Sequence, residues 1–273
     1  MGTRLPRRSN DRLAPARRPR RDAPLEAAIA DGRFTILFQP QIDPVSGAVI
    51  GAEALARWDE AGSADELFER AAAGRLDERL SRTLQRRALE IASQWPGRLS
   101  TLHLSLNILP QDLAREGYER WLLDQLEEVG LDPERLTVEI VESALVMDRP
   151  AIASRLAILR EAGIRIAVDD FGTGYANLAY LTSLPLDAMK IDRGLVADLV
   201  GGSRDRIVVK AMIGMARELG LKVVVEGVET RAQLQLLADW GVDLYQGFLG
   251  AGALTEEELA RFVAASAAEA KAA

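Results

Sequence analysis

Six oxygen donors and one ammonium recur in short apolar surroundings along this chain. They are Glu53 in "GAEALARW", Asn107 in "LHLSLN", Glu139 in "LTVEIVE", Asp169 and Asp170 in "IRIAVDD", Glu226 in "KVVVEG", and Lys190 in "AMKID". Carboxylates carried next to buried segments are costly unless something compensates them, at several kcal/mol per uncompensated ion. Two kinds of compensation are open. The acids could pair with Lys190, Lys222 and Arg165 in a buried network, or they could coordinate divalent cations. The chain has no cysteine and one histidine, so a metal site built from these residues would favour hard Mg²⁺ or Mn²⁺ over zinc. Acids at successive strand ends with a lysine would also suit an enolase-type barrel that removes a proton next to a carboxylate.

Side chains alternate across a strand, so each segment can be read face by face. Leu102, Leu104 and Leu106 oppose His103, Ser105 and Asn107; Leu136, Val138 and Ile140 oppose Thr137 and Glu139. Ile164, Ile166 and Val168 oppose Arg165, Ala167 and Asp169, and Met189 and Ile191 oppose Lys190 and Asp192. Val223 and Val225 oppose Lys222, Val224 and Glu226. Glu53, Leu55 and Arg57 share a face opposite three alanines, which sets a carboxylate beside a guanidinium able to bind phosphate. His103 lies deeper in its strand and reads as a hydrogen-bonded core residue. Every strand thus has one apolar face and one face carrying the polar groups.

The elements that hold these residues follow from a repeated unit. "LEEVGLDPERLTVEI", "LREAGIRIAVDD", "ARELGLKVVVEG" and "LADWGVDLYQG" each run from an amphipathic helix through a glycine into an apolar strand. Gly130, Gly163, Gly220 and Gly241 stand where a left-handed C′ residue ends a helix. One helix shows Ile207, Val208, Ala211, Met212 and Met215 as its apolar stripe. Strands are expected near 35–42, 49–58, 102–107, 136–142, 164–170, 188–192, 222–228 and 244–247. Two helices are expected within 59–99, the second near 77–94. Eight strands alternating with helices over this length predict an α/β fold, a TIM-type (β/α)8 barrel. "DPVSGA" leaves no room for a helix between the first two strands, which makes that pair antiparallel. The apolar faces would pack under the helices, leaving the polar faces to line the lumen.

Composition narrows the function class. At 273 residues, 48% hydrophobic and 27% charged, the chain is ordinary globular protein. Without cysteine there is no disulfide framework and no thiolate nucleophile. No apolar run reaches the roughly 18 residues a membrane span needs, so a cytoplasmic protein is expected. Residues 1–22 hold eight arginines against Asp11 and Asp22, a balance of +6; the chain's −7 therefore leaves −13 on residues 23–273. The Arg- and Pro-rich stretch 1–22 reads as a disordered arm, and 23–273 as the folded domain. An acidic body argues against a nucleic-acid polymer as partner of the main domain.

Seven motifs in order, "EALAR" at 53–57, "SLN" at 105–107, "EIVES" at 139–143, "DDFGTGYANL" at 169–178, "KID" at 190–192, "EGVET" at 226–230 and "QGF" at 246–248, resemble those of the EAL-domain phosphodiesterases. The resemblance spans about residues 25–260. It implies a modified TIM barrel with an antiparallel first strand and hydrolysis of cyclic di-GMP to linear pGpG with two Mg²⁺ or Mn²⁺ ions. By motif, Glu53, Asn107, Glu139 and Asp169 would be metal ligands, with Asp170 reaching the second metal. Lys190 would orient the attacking water and stabilise charge near the phosphate. Glu226 would be the general base or a metal-side carboxylate, and Gln246 would hold the water or metal shell. Gln39, Leu55 and Arg57 would contact the dinucleotide. Two divalent ions would also reverse the field of an acidic pocket that otherwise repels a phosphodiester.

The resemblance further implies a homodimer through the loop at 169–178, where Gly172 and Gly174 permit a tight, movable turn. The same fold in other hands binds cyclic di-GMP as a receptor without cleaving it. Two departures from the family pattern are present: "DEAGSADELFERAAAGRL" replaces a longer Phe-Ile-Pro segment, and "QGF" with "LGAGALT" lacks the usual Tyr and Ser-x-Pro. Neither touches an implied ligand; both bear on the rim that would cradle guanine.

Overall fold

The computed structural model describes residues 21–141, 149–172, 179–201 and 204–272. Its eight strands are β1 (Thr35–Ile42), β2 (Val49–Arg57), β3 (His103–Ile108), β4 (Leu136–Val141), β5 (Arg165–Phe171), β6 (Ala188–Ile191), β7 (Lys222–Val225) and β8 (Leu244–Tyr245). They close into a barrel in chain order. Strand β1 runs antiparallel to both neighbours, and every other pair is parallel. The turn that reverses β1 is held by Asp43, whose Oδ1 accepts the amides of Val45 and Ser46 at 2.8 Å each. Pro40 sits mid-strand, paired with Ala52 on one side only, where its missing N–H breaks no ladder.

The helices are α1 (Ala23–Asp31), α2 (Ala64–Gly74), α3 (Asp77–Ser93), α4 (Pro110–Ala114), α5 (Tyr118–Val129) and α6 (Arg149–Glu161), followed by α7 (Ala179–Ser183), α8 (Arg193–Val196), α9 (Arg204–Glu218), α10 (Arg231–Asp239) and α11 (Glu256–Ala272). Helices α2 and α3 occupy the segment where two were expected. The four helix-ending glycines have positive φ, from 70° to 98°. Asp22, grouped by composition with the Arg-rich arm, belongs to the fold: it caps α1 and binds Arg70 at 2.8 Å. The arm itself, residues 1–20, lies outside the described residues.

The outward strand faces form the core as expected. Leu104, Val138, Ile140, Ile166, Val168, Met189, Ile191, Val223 and Val225 are all buried. One stripe is corrected. Helix α9 buries Val209, Met212, Ile213 and Ala216, while Ile207 and Val208 face solvent. Both stripes fit a 3.6-residue period, and the apolar density of this helix hid which one the barrel would take. Strands β7 and β8 are also shorter than expected, ending at Val225 and Tyr245. The chain turns sharply at Gly227, where φ is 66° and a Cβ would lie 2.3 Å from that of Arg193. Glu226 and Gln246 therefore sit just past their strands, at the barrel mouth.

Candidate functional site

The lumen is polar, and one cation organises it. Lys190, on β6, is 1% exposed, and its Nζ lies among four carboxylates from four other elements. The distances are 2.6 Å to Glu139 Oε2, 2.7 Å to Glu226 Oε1, 3.2 Å to Glu53 Oε2 and 3.3 Å to Asp169 Oδ1. Alternation put these side chains on inward faces, and barrel closure brings them to one point.

Amides knit the cluster together. Gln246 Nε2 donates to Glu53 Oε2 at 2.7 Å and to Glu226 Oε1 at 3.2 Å. Asn107 Nδ2 donates to Glu53 Oε1 at 2.6 Å, a bond that uses its nitrogen and not its oxygen. The backbone amide of Asp170 donates to Asp169 Oδ1 at 2.9 Å. Asp170 itself stands at φ 55°, one of two non-glycine residues with positive φ among the described residues. Asp tolerates that region better than most residues, yet a non-glycine there stores strain of order 1–2 kcal/mol. The strain aims the second carboxylate toward the first: Asp169, Asp170 and Glu226 can each offer one oxygen with all three within 4.8 Å of one another.

The electrostatics show what the cluster lacks. Burial drives the Glu139 carboxyl well above the usual range, and Glu53 and Asp169 nearby push it further, despite Lys190. Burial likewise raises Glu226, whose pKa is pushed up to about 7 against the pull of Lys190. Asp170 is raised by burial and by Asp169. For Glu53 burial works upward too, but the Lys190 charge and the bonds from Gln246 and Asn107 outweigh it and hold the carboxyl low. The four surrounding acids hold Lys190 protonated despite its burial. One ammonium facing four carboxylates leaves a formal −3, which protons or divalent cations must offset. The donor set is all oxygen, several ligand atoms converge, and no thiolate is present, so the residues fit hard divalent ions.

The alternative of a purely internal network does not describe this lumen. Lys222 is solvent-exposed and pairs with Asp243 at 2.7 Å. Arg165 donates to His103 Nδ1 at 2.6 Å. Neither is paired with these acids; among the described residues Lys190 is the cation that meets Glu53, Glu139, Asp169 and Glu226. His103 is half-buried against Arg165, in keeping with a structural rather than a ligand role.

Above the cluster opens a cavity of about 920 Å³. Gln39, Leu55 and Arg57 line it together with Asp170, Glu226 and Gln246, so the expected substrate-contacting residues share a chamber with the expected metal-side ones. Arg57 is exposed at its edge, and Gln39 Nε2 donates to Ala251 O at 3.3 Å. In the segments that depart from the family pattern, Ser63 caps α2, and Phe248, 76% exposed, stands at the cavity mouth.

Several participants were not singled out from sequence. Gln41 is buried beneath the cluster, its Nε2 within reach of Ser105 Oγ (3.2 Å), Gln246 Oε1 (3.3 Å) and Glu139 Oε1 (3.4 Å). Arg193 and Asp192 line the cavity, and Asp192 caps α8 by accepting the Gly194 amide. Alternation along β1 would have put Gln41 on the same face as Gln39; "KIDR" carries no signal for Arg193 beyond its charge. The expected dimer loop, 169–178, is described only to Gly172; 173–178, with Gly174, lie outside the described residues.

Comparison with known proteins agrees with this geometry. The family model of the EAL domain matches residues 22–253. Among curated relatives, the cyclic di-GMP phosphodiesterase PA2567 of Pseudomonas aeruginosa is 37% identical over 230 residues, 83% of this chain and 39% of that protein. The cyclic di-GMP phosphodiesterase NbdA of the same organism is 35% identical over 246 residues, 88% of this chain and 31% of that one. This chain thus spans well under half the length of either. Among solved structures, the PaMucR phosphodiesterase in complex with c-di-GMP superposes with a TM-score of 0.81 at 31% identity, covering 86% of this chain and 97% of that one. Klebsiella pneumoniae BlrP1, solved with calcium and cyclic di-GMP, gives 0.76 at 30% identity over 89% and 59% of the two chains.

Proposed function

This chain belongs to the EAL-domain family, and from that premise we propose that it hydrolyses cyclic di-GMP to linear pGpG with two divalent cations, Mg²⁺ or Mn²⁺. The observation that carries the reading is the acid cluster around Lys190, whose four carboxylates exceed what one ammonium can balance. The relatives' names and the cyclic di-GMP complexes of similar folds support the substrate class.

Glu53, Asn107, Glu139 and Asp169 would hold one ion, and Asp170 with Asp169 would hold the second. Bound there, the ions would neutralise the pocket and make a water molecule nucleophilic near neutral pH. Lys190 keeps its proton and supplies fixed positive charge where the phosphoryl oxygens gather charge in the transition state. Glu226, held at the barrel mouth by Gln246, would accept the proton of the attacking water. The water oxygen would bond to phosphorus as its proton passes to Glu226, the bond to the ribose 3′ oxygen would break, and that oxygen would take a proton from solvent as it leaves. Gln246 fixes Glu226 against Glu53, which keeps the base from swinging away. Arg57 and Arg193, at the edges of the cavity, suit the substrate's second phosphate, and Phe248 offers an aromatic face to a purine.

A cytoplasmic setting and a homodimer through the 169–178 loop form part of the same proposal; among the described residues no helix is long and apolar enough to cross a membrane. Chromatography of cyclic di-GMP incubated with the protein and Mn²⁺ tests the activity, with pGpG expected and EDTA abolishing it. Tight binding without product would identify a receptor instead. Light scattering with and without substrate tests the dimer, and a constant monomer mass would dismiss it.

A further inference from the structure

The barrel has a second cavity, of about 730 Å³, at the end opposite the acid cluster's mouth. Its walls are the N-terminal ends of the parallel strands, and its inner end reaches Gln41, Ser105 and Glu139. Val224, Val242 and Leu244 give it an apolar side. Among the described residues, Arg165 is the cation of its lining that has no ion-pair partner.

Arg165 is half-buried and, among the described residues, makes no ion pair. Its Nη1 donates to His103 Nδ1 at 2.6 Å. Burial and the guanidinium lower the imidazole pKa, against an upward pull from the backbone at Glu134 and Arg135. His103 therefore orients the guanidinium without neutralising it.

The carboxylates around the cavity are committed elsewhere. Asp43 accepts the Val45 and Ser46 amides. Asp187 accepts Arg160 Nε at 2.9 Å and the Ile166 amide at 3.0 Å. Asp243 accepts Lys222 Nζ and the Val223 amide. Glu139, at the inner end, is held by Lys190 at 2.6 Å. A guanidinium in a partly desolvated cavity with no anionic partner is unfavourable, and a planar carboxylate matches its fork in two hydrogen bonds.

We propose that this cavity binds a small organic monoanion, with its carboxylate on Arg165 and its apolar body against Val224, Val242 and Leu244. One guanidinium in a cavity also lined by Asp43, Asp187 and Asp243 selects a single negative charge over a phosphate dianion. A volume of about 730 Å³ lies within the range of small-molecule sites. The cavity shares Gln41 and Glu139 with the phosphodiesterase site at its inner end, but Arg165 and the apolar wall take no part in that reading, so the proposal stands or falls without it.

Titration calorimetry of the intact protein with 4-phenylbutyrate, 4-phenylbutanol and inorganic phosphate tests the proposal. Saturable binding of phenylbutyrate, at least tenfold weaker binding of the alcohol and of phosphate, and a tenfold or greater loss in Arg165→Gln are expected. Arg165→Lys should keep part of the affinity, since it keeps the charge and loses the fork. No phenylbutyrate binding to the unmodified protein overturns the proposal, as does equal binding of the alcohol, tighter binding of phosphate, or unchanged affinity in a folded Arg165→Gln.

Discussion

Lys190 Nζ and Glu139 Oε2 lie 2.6 Å apart with both side chains 1% exposed, deep in a lumen where Glu53, Asp169 and Glu226 also face the same ammonium. The pair is the pivot of the site. It ties β6 to β4 across the barrel and keeps a protonated ammonium among the acids of the lumen.

Removing that charge exposes the acids to one another. Lys190→Met should destabilise the chelator-treated protein by about 3–5 kcal/mol, the cost of breaking a buried pair. Saturating Mn²⁺ should return part of the loss, and turnover should stay at least about 100-fold down because no fixed cation faces the transition state. Urea denaturation with and without Mn²⁺, beside the activity assay, checks both.

The raised carboxyls set a pH dependence. Glu226 has a folded pKa of about 7 against an ordinary value of 4.5, so the folded state holds a proton the unfolded chain has released. Its contribution is fully present below about 4.5 and is lost as pH rises through about 7, up to about 3 kcal/mol in all. Chelator-treated protein should therefore lose stability between pH 5 and 7.5, and Glu226→Gln should flatten that slope. Mn²⁺ affinity should move the other way and strengthen as pH rises, because cations displace protons from the same groups. A Mn²⁺ affinity unchanged between pH 5.5 and 7.5 would contradict this.

Backbone strain at Asp170 can be separated from its charge. With φ at 55°, Asp170→Ala should cost about 1 kcal/mol of stability, whereas Asp170→Asn, which tolerates the left-handed region, should cost little. Both should weaken binding of the second Mn²⁺ about equally. Thermal melts and metal titration of the two variants give the comparison.

Gln41 is placed to act through its neighbours. Gln41→Leu would remove the donor to Gln246 Oε1 and Glu139 Oε1, and kcat should fall by about tenfold, the worth of one such hydrogen bond. KM should hold steady, because Gln41 lies beneath the acid cluster and does not line the mouth cavity. A rise in KM at constant kcat would place Gln41 in substrate binding instead.

The legibility of this protein in its sequence follows the reach of local patterns. Period-two alternation identified Glu53, Asn107, Glu139, Asp169, Lys190 and Glu226 as one inward set, and the helix–glycine–strand unit gave the barrel. The missing linker helix after "TILFQPQI" exposed the antiparallel start. Alternation ranks faces along one strand, though, and says little about what meets across a closed lumen. Lys190 thus read as one of three candidate counter-cations, and closure alone shows that Lys222 and Arg165 point to the other end. On α9 two apolar stripes competed, and packing chose Val209 and Ile213 over Ile207 and Val208, with Met212 buried as expected. Glu226 and Gln246 sit past their strands because Gly227 turns the chain against Arg193, a contact between residues far apart in sequence.

The central claim is that the Lys190 cluster is a metal-dependent phosphodiesterase site. The most direct test measures cyclic di-GMP binding by calorimetry and conversion to pGpG by chromatography, with Mn²⁺, in the unmodified protein and in Asp169→Asn. Metal-dependent product from the unmodified protein is expected, with at least about a 100-fold loss in Asp169→Asn and binding largely retained. Binding without product in the unmodified protein, or equal turnover in Asp169→Asn, would contradict the account.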